Sequence, residues 1–379
     1  MKATKPANHP HVSIGVIFRN EEDALGNALK SLFEQSIFAE LRSRNLQCEV
    51  ICVANGCTDN SPLIAKWFCD EQNTTHPCQD ILTCRTVAIP EPEKTHAWNL
   101  FTHGLSTKSS QFCFLMDGNI VIDQRTTLWN MYAALTSHSE AVVAVDQTHK
   151  AISPGLLRSL RSRFSAFNPL AKPAGARFNG QLYCIRAHAA RNIYLPEALP
   201  GWEDEFIETI VCTEFLTRAA SHDSILLAKN ASHLSEPSHS MGERLDNQWR
   251  QAIGQAVVHI IVDDHLRRLP FVDRVRLAET LQREERRDPS WLSRLLTAHL
   301  SKTKHFWELF PGLLSECRVR LAKLNWCQKV VQLPSALARL LVRLASCWMA
   351  YHSLKQGCAR WLAANHPTLP RNAAGRHTA

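Results

Sequence analysis

The residues of this chain best suited to chemistry are carboxylates placed where apolar runs end. Asp117 directly follows the run 112–116 (FCFLM) and is followed by Gly118 and Asn119. A carboxylate there costs folding free energy unless it is solvated or bound to a cation. Hard divalent cations prefer oxygen ligands, so Asp117 suits a divalent metal ion that holds a diphosphate. The same three residues also suit an Asx-type turn that closes the strand. A second cluster, Glu203, Asp204 and Glu205, stands behind Gly201-Trp202 and ahead of an apolar helix carrying Phe206, Ile210, Val211 and Phe215. Helix capping and dipole complementation account for two adjacent acids. A third leaves a carboxylate to act as general base toward a substrate hydroxyl.

Other chemistries lack their residues. No GxxxxGK[ST] occurs, no GxGxxG follows the first strand, and GxSxG and HExxH are absent, which disfavours P-loop enzymes, dinucleotide oxidoreductases and serine hydrolases. The thirteen cysteines form no CxxC pair and sit mostly inside apolar strings, as in the run 49–53 (EVICV). They read as buried free thiols of a reducing, cytoplasmic compartment rather than a disulfide framework or a zinc site.

These candidates need elements to hold them. The run 12–18 (VSIGVIF) has the apolar, β-branched character of a strand buried on both faces. It ends in Arg19-Asn20-Glu21-Glu22, and Ala24, Leu25, Ala28, Leu29, Leu32 and Phe33 then repeat at helical spacing. A second strand, 49–54, ends in the turn-forming Asn55-Gly56-Cys57-Thr58-Asp59-Asn60 and leads to a helix over 62–70. Further strands are expected at 82–89, 112–116, 141–145 and 180–185, with a helix over 97–105. This βαβα order predicts an α/β fold: a mainly parallel open sheet with helices on both faces, followed by an all-helical C-terminal region. Ligands of such sheets bind at the carboxyl ends of the strands, where the polar clusters fall.

Charge divides the chain along the same lines. The formal net charge of +8 is the sum of −3 over residues 1–236 (21 basic, 24 acidic), zero over 237–288 (9 of each) and +11 from 289 onward (13 basic, 2 acidic). The reading is a polar N-terminal tail over 1–11, a catalytic domain over 12–236 and a basic helical region over 237–379. Pro270, Pro289, Pro311 and Pro334 are expected helix boundaries. The polar N-terminus lacks the apolar core of a secretory signal, and no stretch approaches the ~18 uninterrupted apolar residues of a membrane span.

Taken in order, the motifs resemble those of a family-2 glycosyltransferase with the A-type nucleotide-diphospho-sugar transferase fold, over about residues 12–236. The stretch 12–22 resembles the family's opening strand and Asn-Glu signature, and Val53-Ala54-Asn55-Gly56-Cys57-Thr58-Asp59 resembles its Asp-Gly-Ser-x-Asp turn. Lys94-Thr95-His96-Ala97-Trp98-Asn99 fits Lys-x-x-Ala-x-Asn, Asp117-Gly118-Asn119 stands where the family has Asp-x-Asp, and Glu203-Asp204 resembles its Glu-Asp motif.

The resemblance implies transfer of a sugar from a nucleotide-diphospho-sugar to a saccharide or lipid-linked acceptor hydroxyl, by a single inverting displacement with an oxocarbenium-like transition state. It implies that Arg19, Glu21, Asn55 and Asp59 lie along the nucleoside, Lys94 near the diphosphate, Asn99 near the sugar and Glu203 within the donor site. Asp117 and Asn119 would hold Mg2+ or Mn2+, and Asp204 would be the catalytic base. Asn119 and Asn55 replace acids of the family pattern, and the amide at 119 weakens the cation site. Gln-x-x-Arg-Trp is absent as such; Asn247-Gln248-Trp249-Arg250 lies in the corresponding region, with Arg250 as a diphosphate or acceptor contact and His239 as a late metal ligand. A non-catalytic member that binds a nucleotide-sugar or a partner is the competing reading. A sugar-phosphate nucleotidyltransferase would need a Gly-rich basic segment after the first strand, which this chain lacks.

Five of the ten tryptophans, at 291, 307, 326, 348 and 361, fall in the basic tail. Leu333, Leu337, Leu340, Leu341, Leu344 and Trp348 form a stripe on a helix that also carries Arg339 and Arg343. This pattern suits peripheral contact with an anionic membrane surface, as well as a helical subdomain with solvated arginines. No nucleic-acid-binding motif accompanies the charge.

Overall fold

The computed structural model describes residues 10–150, 178–199, 203–235, 241–310, 337 and 340–356. The chain divides into two compact units, one of Met1–Leu195, Glu203–Pro237 and Phe271–Thr280, the other of Pro196–Trp202, Ser238–Pro270 and Leu281–Ala379.

The first unit is built on an eight-stranded sheet. Its strands in chain order are β1 (Val12–Phe18), β2 (Cys48–Asn55), β3 (Leu82–Ile89), β4 (Phe112–Asp117), β5 (Val121–Ile122), β6 (Val143–Lys150), β7 (Leu182–Arg186) and β8 (Ile225–Ser235), in the spatial order β3-β2-β1-β4-β7-β6-β8-β5. The pairs β3-β2, β2-β1, β1-β4 and β6-β8 are parallel. β7 runs antiparallel to both β4 and β6, and β5 antiparallel to β8. The mainly parallel sheet expected from the βαβα order is therefore present, with one reversed strand inserted at its centre.

Alternation along the strands separates two cores. Val12, Ile14, Val16 and Phe18 of β1, Val50 and Cys52 of β2, and Phe112, Phe114 and Met116 of β4 pack against Leu25, Leu29 and Leu32 of the helix Leu25–Phe33 and against Leu128 and Met131 of the helix Thr127–Ser137. The alternate residues face the helix Lys94–Asn99, which continues as a π-helical turn over Leu100–Leu105. A Cβ at Gly15 would lie 2.7 Å from the Phe101 ring, so this residue must be glycine for the helix to reach the sheet. The helix expected over 97–105 thus begins three residues earlier, which places Lys94 at its first turn. That expected over 62–70 runs from Ser61 to Thr75.

Two strands, β5 and β8, were not foreseen. The polar sequence Lys229-Asn230-Ala231-Ser232-His233 hides the alternation that identifies a half-buried strand. Of the ten cysteines among the described residues nine are buried, mostly in the sheet core.

In the second unit the described residues are helical over Met241–Ile260, Leu277–Arg287 (from residue 281), Trp291–Lys302 and 340–356. Pro270 and Pro289 each stand just before a helix, as their missing N–H favours. Pro311, Pro334, Leu333, Trp326, Trp361, Arg339 and His239 lie outside the described residues, as do Gly201 and Trp202. Among the described residues no helix is long and apolar enough to cross a membrane.

Candidate active site

Asp117 is the last residue of β4 and shares the alternation of Cys113 and Leu115, which directs it to the face covered by the helix Lys94–Asn99. Lys94 Nζ lies 2.8 Å from Asp117 Oδ1 and 2.8 Å from Glu203 Oε1, at the start of the helix Glu203–Cys212. Three chain segments distant in sequence therefore meet on one ammonium. Burial works against the Lys94 charge, but the carboxylates of Asp117, Glu203 and Asp204 outweigh it and hold its pKa well above the ordinary lysine value. Glu203 is buried too, and Lys94 more than offsets that, so its carboxyl titrates below the usual range. Burial dominates at Asp117, which is raised despite Lys94.

Asp204 is the most perturbed of the three acids. Burial, together with repulsion from Glu203, pushes its pKa up to about 7, against the partial relief of Lys94. Its Oδ2 accepts the Gly180 N–H at 3.2 Å. Its Oδ1 is buried without a hydrogen-bond partner among the described residues, and so is Oε2 of Glu203. Such orphaned acceptors are rare in folded proteins and cost on the order of 1–3 kcal/mol each. Gly180 makes the arrangement possible, since a Cβ there would fall 1.6 Å from Asp204 Oδ1.

With all three acids ionised, three carboxylates surround one ammonium and the cluster carries a formal charge of −2. A divalent cation answers that imbalance, and the donor set of carboxylate and amide oxygens is the one hard cations prefer. Beside it the Asn119 side chain is held in place, its Nδ2 donating to Glu21 Oε1 at 3.0 Å.

Behind β4 lies a buried chain of polar groups that nothing in the local sequence marks. His233 Nδ1 on β8 lies 2.8 Å from Asp146 Oδ2 on β6, and its Nε2 lies 3.3 Å from Gln181 Oε1. The Gln181 carbonyl in turn accepts the Asp117 N–H at 2.8 Å. These residues fix the backbone from which Asp117 projects.

The loops after β1 and β2 are laced together. Asn20, in the left-handed region at φ 54°, accepts the Thr58 N–H at 2.8 Å. The Glu22 N–H donates to Asp59 Oδ2 at 3.1 Å and the Asn60 N–H to Glu22 Oε2 at 3.0 Å. Asp59 also accepts the Ser61 N–H at 3.1 Å and its hydroxyl at 2.9 Å, while the Glu21 N–H donates to Ser61 Oγ at 2.8 Å. Slight burial opposes ionisation of Asp59, but the bonds from Ser61 and the Glu22 N–H prevail and hold it below the usual carboxylate range. Gly56, at φ 59°, turns the β2 loop beneath Pro92, whose Cα a Cβ would approach to 2.7 Å.

The structure thus brings together Lys94, Asp117, Glu203 and Asp204, and links Glu21 to Asn119. Asn55 is buried at the end of β2 with Oδ1 unpartnered among the described residues. Arg19 is exposed and donates to the Pro92 carbonyl at 3.3 Å. Both sides of the Asn99 amide engage the Leu195 backbone, Nδ2 donating at 2.7 Å and Oδ1 accepting at 3.0 Å, which makes Asn99 a splint between two segments. Arg250 belongs to the second unit and pairs with Asp246 one turn earlier on its own helix, at 2.5 Å.

The model of the family described as glycosyl transferase family 2 matches residues 13–189. Among solved structures, a mannosyltransferase from Pyrobaculum calidifontis in complex with GDP-Man and Mn2+ is similar with a TM-score of 0.50 at 16% identity, over 91% of this chain and 89% of that one. S. aureus TarS 1-349 in complex with UDP-GlcNAc is similar at 14% identity and a TM-score of 0.42, over 91% and 90% of the two chains. Glucosyl-3-phosphoglycerate synthase from Mycobacterium tuberculosis, with Mg2+ and UDP, gives 12% identity and a TM-score of 0.40 over 68% and 79%. No curated protein sequence matches the chain.

Proposed function

We propose, from the match of residues 13–189 to the glycosyl transferase family 2 model, that the protein moves a sugar from a nucleotide-diphospho-sugar to an acceptor hydroxyl in one inverting displacement, with Asp204 as the base. The observation that carries this reading is the Asp204 carboxylate itself. Its Oδ1 is buried without a partner among the described residues and its pKa is pushed up to about 7. A base poised near neutrality combines an available ionised form with enough basicity to take a proton in the transition state.

In this mechanism Asp204 Oδ1 accepts the proton of the attacking hydroxyl as that oxygen bonds to the anomeric carbon. The bond from that carbon to the diphosphate breaks on the opposite side. Gly180 holds the other carboxylate oxygen through its N–H and so orients the base. Lys94, anchored between Asp117 and Glu203, keeps a positive charge beside the place where the leaving diphosphate gathers negative charge. Asp117 and the Asn119 amide oxygen would hold Mg2+ or Mn2+, which when bound neutralises the diphosphate. The mannosyltransferase of similar fold, with GDP-Man and Mn2+, supports this pairing of donor and cation. The buried Asn55 and the laced loops after β1 and β2 form the floor on which the nucleoside would rest, with Glu21 and Arg19 at its rim.

We assign residues 12–236 to catalysis and 237–379 to a helical region that keeps the enzyme peripherally at an anionic membrane surface, within reach of lipid-linked or saccharide acceptors. Leu337, Leu341 and Trp348 support this, since they are exposed at helical spacing while Cys347, Ala350 and Leu354 are buried on the same helix. The test of the activity is a transfer assay across a panel of nucleotide-sugars with Mn2+ or Mg2+. Turnover that survives in Asp204→Asn sinks the assignment of the base. Flotation of the full chain with anionic vesicles tests the surface: Leu341→Glu with Trp348→Ser should abolish it, and undiminished flotation overturns that role.

A further inference from the structure

The helix that begins with Glu203 and Asp204 ends in a second cluster with different chemistry. Glu208 and Cys212 stand one turn apart on the helix Glu203–Cys212, so their side chains share a face. After Cys212 the chain reverses through three consecutive non-glycine residues in the left-handed region, Glu214, Phe215 and Leu216, at φ 46°, 59° and 61°. Each is disfavoured for a residue with a Cβ and persists only where surrounding contacts impose it. The reversal returns the Ser221 N–H to the Cys212 carbonyl at 2.8 Å, and the Ser221 hydroxyl accepts the Asp223 N–H at 3.2 Å. These two bonds set His222 over the end of the helix. His222 Nδ1 lies 3.7 Å from Cys212 Sγ and 3.9 Å from Glu208 Oε1, and the three donor atoms all lie within 4.8 Å of one another.

From this juxtaposition we propose a structural Zn2+ site formed by Glu208 Oε1, Cys212 Sγ and His222 Nδ1, with its fourth position open to solvent. Zinc bonds of about 2.3 Å to sulfur and about 2.0–2.1 Å to nitrogen or carboxylate oxygen require ligand–ligand edges of roughly 3.3–3.6 Å in a tetrahedron. The two His222 separations, 3.7 and 3.9 Å, exceed these by a few tenths of an ångström, and the Glu208–Cys212 separation is within 4.8 Å, so side-chain rotation must draw the three donors together. His222 is well placed to move, since its side chain is 70% exposed while that of Glu208 is 24% exposed and Cys212 is buried. Oxygen, thiolate and imidazole together favour a borderline cation over Mg2+ or Mn2+, so the site differs in kind from the all-oxygen cluster at Asp117. Binding deprotonates the thiol and ties the strained reversal to the helix, clamping the far end of the element that carries Asp204. The site stands on its own geometry and does not depend on the proposed transfer reaction.

The test is Zn2+ titration of the full chain after chelator treatment and dialysis, read by equilibrium dialysis and by Tm, with Co2+ as the spectroscopic probe. One equivalent of Zn2+ should bind and raise Tm, as any ligand of the native state does. Co2+ should give a thiolate charge-transfer band. His222→Ala and Cys212→Ser should each weaken Zn2+ binding by about a hundredfold or more and remove the tetrahedral Co2+ spectrum. Asp117→Asn should leave both unchanged. Because His222 is exposed, His222→Ala keeps the test decisive even if Cys212→Ser fails to fold. Zn2+ affinity retained in His222→Ala, or no binding to the parent protein, overturns the proposal.

Discussion

Asp59 and Asp204 are the same residue type at the same edge of one sheet, and the fold treats them in opposite ways. Asp59 gathers the Ser61 N–H, the Ser61 hydroxyl and the Glu22 N–H, and its pKa falls. Asp204 receives a single N–H from Gly180, keeps a buried oxygen without a partner among the described residues, and its pKa rises to about 7. A carboxylate supplied with donors works as a structural brace, because its charge is already stabilised. One denied donors keeps its basicity and is the better proton acceptor.

The largest effect should come from Asp204→Asn, which retains shape and removes basicity. Transfer should fall by about 10²–10⁴-fold, the usual contribution of a positioned base, while the thermal transition stays intact. A loss smaller than tenfold would mean that the unpartnered oxygen has no catalytic role. Gly180→Ala should be nearly as damaging to turnover. Its methyl group would occupy the position of the Asp204 carboxylate, and overpacking of this kind costs roughly 1–3 kcal/mol of stability. Both readouts should move together, turnover in the assay and midpoint in denaturant.

The pH dependence separates the two acids further. Transfer should rise about tenfold per pH unit below the Asp204 pKa and level off above about 7. Stability runs the other way. The native state holds the Asp204 proton up to about 7 while the unfolded chain releases it near 3.8, so the native state binds more protons in between and stability drops as pH rises across that window. The Tm advantage of Asp204→Asn over the parent should therefore grow from pH 4 to pH 7, and a constant difference would contradict the raised pKa. The smallest effect belongs to the brace. Asp59→Ala should cost about 1 kcal/mol, as loss of a helix-start acceptor does. Its native stabilisation is present above the ordinary carboxylate pKa and is lost on acidification, so the deficit should vanish toward low pH.

Much of this was legible before any coordinates. Buried parallel strands announce themselves as apolar β-branched runs, which is why 12–18 and 82–89 were read with their observed ends. Asp117, Glu203 and Asp204 were singled out by position, since strand ends and helix starts are where polar groups must be explained, and Lys94 by the motif of the resemblance. β8 escaped because His233 and Asn230 interrupt its alternation, and with it went the Asp146–His233–Gln181 chain that supports Asp117. Asn99 was read as a sugar contact from its motif, but the meaning of an amide depends on what faces it, here the Leu195 backbone.

By itself the sequence determined six of the eight strands and the helices between them, the apolar positions of both sheet faces, and the division into a slightly acidic body and a basic tail. These follow from local periodicity and composition, which each segment carries within itself. Only the tertiary structure decided which acids are braced and which are left basic, that Lys94 joins Asp117 to Glu203, and that His222 returns over Cys212. Those outcomes depend on burial and on partners tens of residues away, and desolvation and Coulomb interactions depend on distance in space rather than along the chain.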